Sequence, residues 1–145
     1  MKRIVKISIF CLFITVLMTA CKEDKVRPAV VDPPVWQVNP AAGYYENMTA
    51  VVKIPSNLAL TADENDQLAA FSEDDQCRGV GELINGVYFV SIKGVPEDQS
   101  NIRFKYYNAK NGFLYQTAYL FTFDADRMFG TADEPQVLSF TAVQQ

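Results

Sequence analysis

The chain contains no histidine. Without an imidazole there is no Ser-His or Cys-His nucleophile pair, no ordinary proton shuttle near neutral pH, and no histidine-ligated zinc or haem. Cysteine is scarce: Cys11 and Cys21 lie in or beside an N-terminal apolar segment, which leaves Cys77 without an intramolecular partner. A single thiol of this kind is either hidden as a small hydrophobe or used between chains, and burial is the expectation. Phosphate loops, dinucleotide fingerprints and G-x-S-x-G elbows are missing as well. So are long apolar runs. The stretch from Ile7 to Ala20 has fourteen residues before Lys22, Glu23, Asp24 and Lys25, short of the roughly 20 that cross a bilayer.

Residues 1–20 carry Lys2, Arg3 and Lys6, then the apolar stretch, then small residues before Cys21. This is the three-part layout of a secretory signal peptide. The sequence Met18-Thr19-Ala20-Cys21 resembles the lipobox of bacterial lipoproteins. That resemblance implies cleavage before Cys21, a diacylglycerol on its thiol and an acylated amino group, and several acyl chains hold firmly where one is marginal. Met18 replaces the commoner leucine, and plain cleavage or an uncleaved short anchor are the alternatives. Removing three basic and no acidic residues from the 13 and 17 present leaves 10 against 17, a net of −7. Such a surface repels phosphates, so no nucleic-acid partner is expected.

Residues 21–35 form the lipidated cysteine and a Pro-rich tether, with Pro28, Pro33 and Pro34 favouring an extended, semi-rigid spacer. A single domain is expected over 36–145. Its signals are for strands: a first around Trp36, then 48–54, 67–72, 77–83, 87–92, 102–108, 113–123 and 137–143. Asn85-Gly86 between two apolar runs predicts a type I′ hairpin. Ile102, Phe104 and Tyr106 alternate with Arg103, Lys105 and Tyr107, the period of a half-buried strand. The capping-box pattern at Thr61 to Glu64 competes, but the apolar run that follows is short, and a turn leading into a strand is preferred. The fold class is all-β: an immunoglobulin-like antiparallel β-sandwich of about eight strands.

Carboxylates are the remaining chemistry. Asp63, Glu64 and Asp66 occupy one loop, Glu73, Asp74 and Asp75 the next, and Asp124 and Asp126 a third. Two at a suitable separation would serve a glycosidase, although acids in turns more often cap backbone N–H groups. Calcium is the better use. "DENDQL" begins like an EF-hand, but Leu68 stands where the glycine is needed and Asp74 where the bidentate glutamate is needed. An irregular calcium site from Asp63, Asn65, Asp66, Asp74 and Asp75 is the candidate. Tyr44, Tyr45, Tyr107, Tyr115 and Tyr119 are the candidate ligand-binding aromatics, set against the commoner role of cross-strand packing.

The segments "WQVNPAAGYYENMTAVVKI", "DENDQLAAFSEDDQCRGVGEL", "IRFKYYNAKNGFLYQ" and "FGTADEPQVLSF" together resemble a β-sandwich repeat of Bacteroidota surface proteins. The typical repeat reads N-D-x-I-A-A-F, then C-R-G-V-A, then I-T-F-K-L-Y-D-A-x-T-G, and the match runs from Trp36 to about Phe140. Asn108 stands where the repeat has aspartate, and Asn111 where it has threonine. The resemblance implies the fold and little about activity. It also implies that Lys22, Glu23 and Asp24, just after the cysteine, act as a signal for export to the outer face. The resulting expectation is an outer-membrane lipoprotein, anchored to the membrane by lipid and without catalysis. It would bind a glycan or an envelope protein, or serve as a structural or adhesive subunit; a carboxylate glycosidase is the least favoured alternative.

Overall fold

Asn85 and Gly86 both adopt left-handed backbone, with φ of 51° and 79°, which is what a two-residue I′ turn requires. They join strand β3 (Cys77–Ile84) to β4 (Val87–Gly94), with Ile84 paired to Val87 and Gly81 to Val90. Around this hairpin the computed structural model, which describes residues 27–144, places β1 (Glu46–Lys53), β2 (Gln67–Phe71), β5 (Asn101–Asn108) and β6 (Phe113–Gln116). Four two-residue strands complete it: β7 (Phe121–Thr122), β8 (Met128–Phe129), β9 (Gln136–Val137) and β10 (Thr141–Ala142). One helical turn, α1 (Ser56–Ala59), precedes β2. No helix among the described residues is long and apolar enough to cross a membrane. The protein is all-β.

The strands form one curled sheet in the order β10-β6-β5-β2-β3-β4-β1-β8, with β7 added to β5 and β9 to β1. Strand β3 is shared. Its first half pairs with β2, through Ala70 opposite Gly79 and Phe71 opposite Cys77, and its second half pairs with β4. The sheet thereby folds over into two layers hinged on one strand. Gly79 permits the crowding: a Cβ there would lie 2.4 Å from the Ser91 carbonyl oxygen. Between the layers the period-2 alternation buries Met48, Ala50 and Val52 of β1, Tyr88, Val90 and Ile92 of β4, and Ile102, Phe104 and Tyr106 of β5. Full burial of each large member contributes about 1.5 to 3 kcal/mol.

Three expectations change. The long return strand over 113–123 is interrupted, because Thr117 turns inward and its hydroxyl accepts the Phe104 N–H at 2.9 Å, standing in for a ladder partner. Strand β6 ends at Gln116, and pairing with β5 resumes only at Phe121. The closing strand expected over 137–143 also divides, since Leu138 buries in the core and Phe140 packs on Tyr106 at 5.7 Å, which carries the chain from one layer to the other. Strand β9 therefore lies parallel to β1, as does β8, while β10 lies antiparallel to β6. These parallel pairings are the departure from a wholly antiparallel sandwich, and the four short strands bring the count among the described residues to ten.

The N-terminal boundary also moves. No strand forms around Trp36, whose ring meets Phe71 edge-on at 5.5 Å. Instead the Ala29 N–H donates to Val143 at 2.7 Å and the Val31 N–H to Gly112 at 2.9 Å. Part of the expected tether is thus fastened to the domain from Pro28 onward. Cys21, Lys22, Glu23 and Asp24 lie outside the described residues.

Candidate functional site

The acidic loops are organised as caps. Asp63 Oδ1 accepts the backbone and side-chain N–H groups of Asn65, each at 2.9 Å, and these hold its carboxyl below the usual range. Asp66 ties three segments together: it accepts from Asp63 N at 2.9 Å, from Ala109 N at 2.7 Å and from the Tyr106 hydroxyl. Asp74 accepts from Ser72 Oγ at 2.6 Å and Gln76 Nε2 at 2.7 Å. Asp75 accepts from Arg103 at 2.5 Å and Lys105 at 2.7 Å. Burial pulls the Asp75 carboxyl upward, and the Lys105 and Arg103 hydrogen bonds outweigh it, so it stands below the ordinary value. Of the five candidate calcium ligands, Asp63, Asp66, Asp74 and Asp75 therefore face donors, and Asn65 is itself a donor to Asp63. Among the described residues no three histidine, cysteine or acidic side chains gather to hold a metal ion.

The five tyrosines do not converge either. Tyr107 is only 4 % exposed. Tyr115 pairs with Tyr106 across β5 and β6, ring centroids 6.1 Å apart, against the core. Tyr44 lies over the Arg78 guanidinium at 4.4 Å, and its hydroxyl donates to Gln76 at 3.3 Å. Tyr119 lies over Arg103 at 5.6 Å, and Tyr45, 73 % exposed, stands just before β1. Packing against neighbouring strands and cations accounts for four of them. Cys77, expected to be buried, is half-buried, and burial raises its thiol.

Two polar clusters that the sequence pattern concealed hold the layers in register. Alternation assigns Arg78 to the same face as Val80, yet Arg78 is 3 % exposed and Val80 is exposed, because the β2–β3 register shifts between Ala70 and Phe71. Arg78 is ion-paired to Asp98, and its Nε donates to the Lys93 carbonyl at 2.5 Å. Asp98 also accepts the Ser100 N–H at 2.8 Å. Burial would raise the Asp98 carboxyl, but the bonds from Ser100 and Arg78 bring it below the ordinary value. The second cluster centres on buried Asn108, whose amide donates to the Thr61 carbonyl at 3.1 Å and the Thr61 hydroxyl at 3.2 Å. Its carbonyl accepts the Asn111 N–H at 3.2 Å. A carboxylate could not make the two bonds to Thr61 and keep the loop closed.

A broad concavity lies elsewhere, along the seam where β7 on one layer meets β8 on the other. Phe121 and Phe129 pack there with centroids 4.4 Å apart and ring planes inclined by 41°. They floor an open cleft of about 690 Å³, with Met48 and Phe123 buried beneath it. Its rim carries Gln99, Thr122, Asp124, Arg127 and Gln136. Arg127 donates to Asp124 at 3.3 Å, both exposed, and Thr122 donates to Asn101 at 3.2 Å. Gln99 Nε2 reaches only the Asp98 carbonyl at 3.4 Å. Gln136 is exposed at the rim. Gly130 shapes the wall: its φ is 81°, and a Cβ would fall 2.4 Å from the Val51 carbonyl oxygen. The cleft residues come from positions 48 to 136, so no local motif announces them; "FG" at 129–130 was the nearest signal.

Comparison with protein-family models, with curated proteins and with solved structures finds no match to this chain.

Proposed function

We propose that the chain is a surface-exposed outer-membrane lipoprotein whose domain works as a non-catalytic binding module, with glycans as its first ligand class. The observation that carries the binding role is the seam cleft: an aromatic floor rimmed by side-chain amides, a hydroxyl and one exposed ion pair. Among the residues lining it, Asp124 and Arg127 are the only ionisable ones, and they bond to each other. That is a surface for holding a ligand in place. The address rests on the signal-peptide layout, the lipobox-like Met18 to Cys21 and the charges at Lys22, Glu23 and Asp24. Changing Cys21 to serine should release the protein from membranes and abolish acyl labelling; unchanged retention by membranes would refute the anchor. A glycan array combined with a pull-down from cell envelopes tests the binding role.

The reading as a structural or adhesive subunit has one observation in its favour. Residues Glu82 to Ile84 pair with β4 on one side only, and Leu83 and Ile84 beside this free edge are 48 % and 43 % exposed. An unpaired apolar edge is a template for another strand. Concentration-dependent association, measured by sedimentation and abolished by Leu83→Lys, would identify it; a monomer at all concentrations would dismiss self-assembly through this edge.

A further inference from the structure

Resting on the binding-module reading, we propose that the seam cleft is a carbohydrate site for neutral sugars, with a pyranose face on Phe129 and Phe121 and its hydroxyls on Gln136, Gln99 and the Asp124–Arg127 pair. Three properties of the cleft select this chemistry. A sugar ring presents an apolar face of C–H groups and an edge of hydroxyls that both donate and accept. The two phenyl rings, inclined at 41° to each other, offer apolar surface to the face, and side-chain amides, each with a donor and an acceptor end, match the edge. Gln136 is exposed at the rim and the Gln99 amide is held by a long bond of 3.4 Å, so a sugar hydroxyl displaces little besides water at either.

Charge excludes the acidic sugars. Asp124 and Arg127 cancel each other at the rim, and the chain after the signal peptide carries a net −7, so uronic and sulfated units meet repulsion with no compensating cation. Size and shape fit a short chain rather than an enclosed small molecule. About 690 Å³ lies within the range of ligand sites, and the cleft is open to solvent. The mostly polar rim disfavours an acyl chain or a hydrophobic peptide.

The test uses the full-length protein purified in detergent, titrated calorimetrically with neutral and with uronate-containing oligosaccharides that span the common linkages. Gln136→Ala and Arg127→Ala, both at exposed positions, should leave the thermal melt unchanged. They should weaken binding of neutral oligosaccharides by about threefold to tenfold each, the loss of one hydrogen bond. Tyr119→Ala, outside the cleft, should leave affinity unchanged. Binding of neutral sugars that is indifferent to Gln136 and Arg127 overturns the site and leaves the binding-module reading standing. A preference for uronates overturns the ligand class. Capture of an envelope peptide that depends on Gln136, with no sugar bound, overturns the carbohydrate assignment while keeping the module. No sugar and no envelope component bound overturns both.

Discussion

Changing Asp98 to asparagine isolates the contribution of one buried charge pair. The substitution keeps an oxygen for the Ser100 N–H, so the turn after β4 retains its cap. What is lost is the counter-charge of Arg78, whose side chain is 3 % exposed and would be left with the Lys93 carbonyl, a long contact to Ser100 Oγ and the faces of Tyr44 and Phe123. A buried ion left without its partner costs about 3 to 5 kcal/mol. In a domain of this size each kcal/mol moves the melting temperature by about 3 to 6 °C, so Asp98→Asn should lower it by about 9 to 30 °C. Urea and thermal melts followed by circular dichroism read the effect. The double variant Arg78→Met with Asp98→Asn removes the stranded charge and should regain at least half of the loss. The acid limb gives a second reading. Because the folded Asp98 carboxyl stands below its ordinary value of 3.8, its contribution is present above that pH and is lost as pH falls through the lowered folded value. Asp98→Asn should flatten that limb. A fall of less than about 3 °C at neutral pH, or a double variant no more stable than the single one, would refute the reasoning.

At the alkaline end, burial and then the nearby Asp66 charge push the Tyr88 hydroxyl up to about 12, and burial with the Asp66 hydrogen bond pushes Tyr106 up further. Their contribution to stability is whole below pH 10, the ordinary tyrosine value; that of Tyr88 is lost as pH rises through about 12, and that of Tyr106 at higher pH still. Phenolate absorbance from these two should appear only with unfolding, and Tyr88→Phe should carry the unfolding limb to higher pH; all seven tyrosines ionising before the fold is lost would contradict this. In the second cluster, Asn108→Asp sets carboxylate oxygens against the Thr61 carbonyl in place of a donor, and should cost about 2 kcal/mol or more at neutral pH. A melt equal to that of the wild type would show that the loop does not depend on the amide.

Legibility from sequence follows the reach of the interaction that decides each element. Strands β1 to β5 fall within two residues of the spans expected, because alternation and the Asn-Gly turn are local signals. From Gln116 onward the outcome depends on distant partners. Thr117 meets Phe104 with its backbone N–H and its hydroxyl in place of a second ladder bond, and Leu138 and Phe140 draw the last segment across the core. The same distinction separates the sites. Capping roles for Asp63 and Asp66 were readable from turn chemistry, whereas calcium was not supported, since their oxygens point at N–H and O–H donors. Tyr107 alternates like an exposed residue and is buried on the far side of its strand. Arg78 was hidden by a bulge in its own strand, where Gly79 and Cys77 pair with the consecutive residues Ala70 and Phe71. The seam cleft draws on β1, the loop before β5, β7, β8 and β9, and exists only once both layers have closed.

The backbone bonds from Ala29 and Val31 shorten the leash of the domain. On the proposed lipid anchor at Cys21, only the seven residue steps to Pro28 separate the acylated sulfur from the first residue bridged to the domain. Fully extended, they reach about 25 Å, well under one bilayer thickness including headgroups. The domain would therefore stay against the membrane surface, where it meets ligands that come down to the lipid and misses those held farther out.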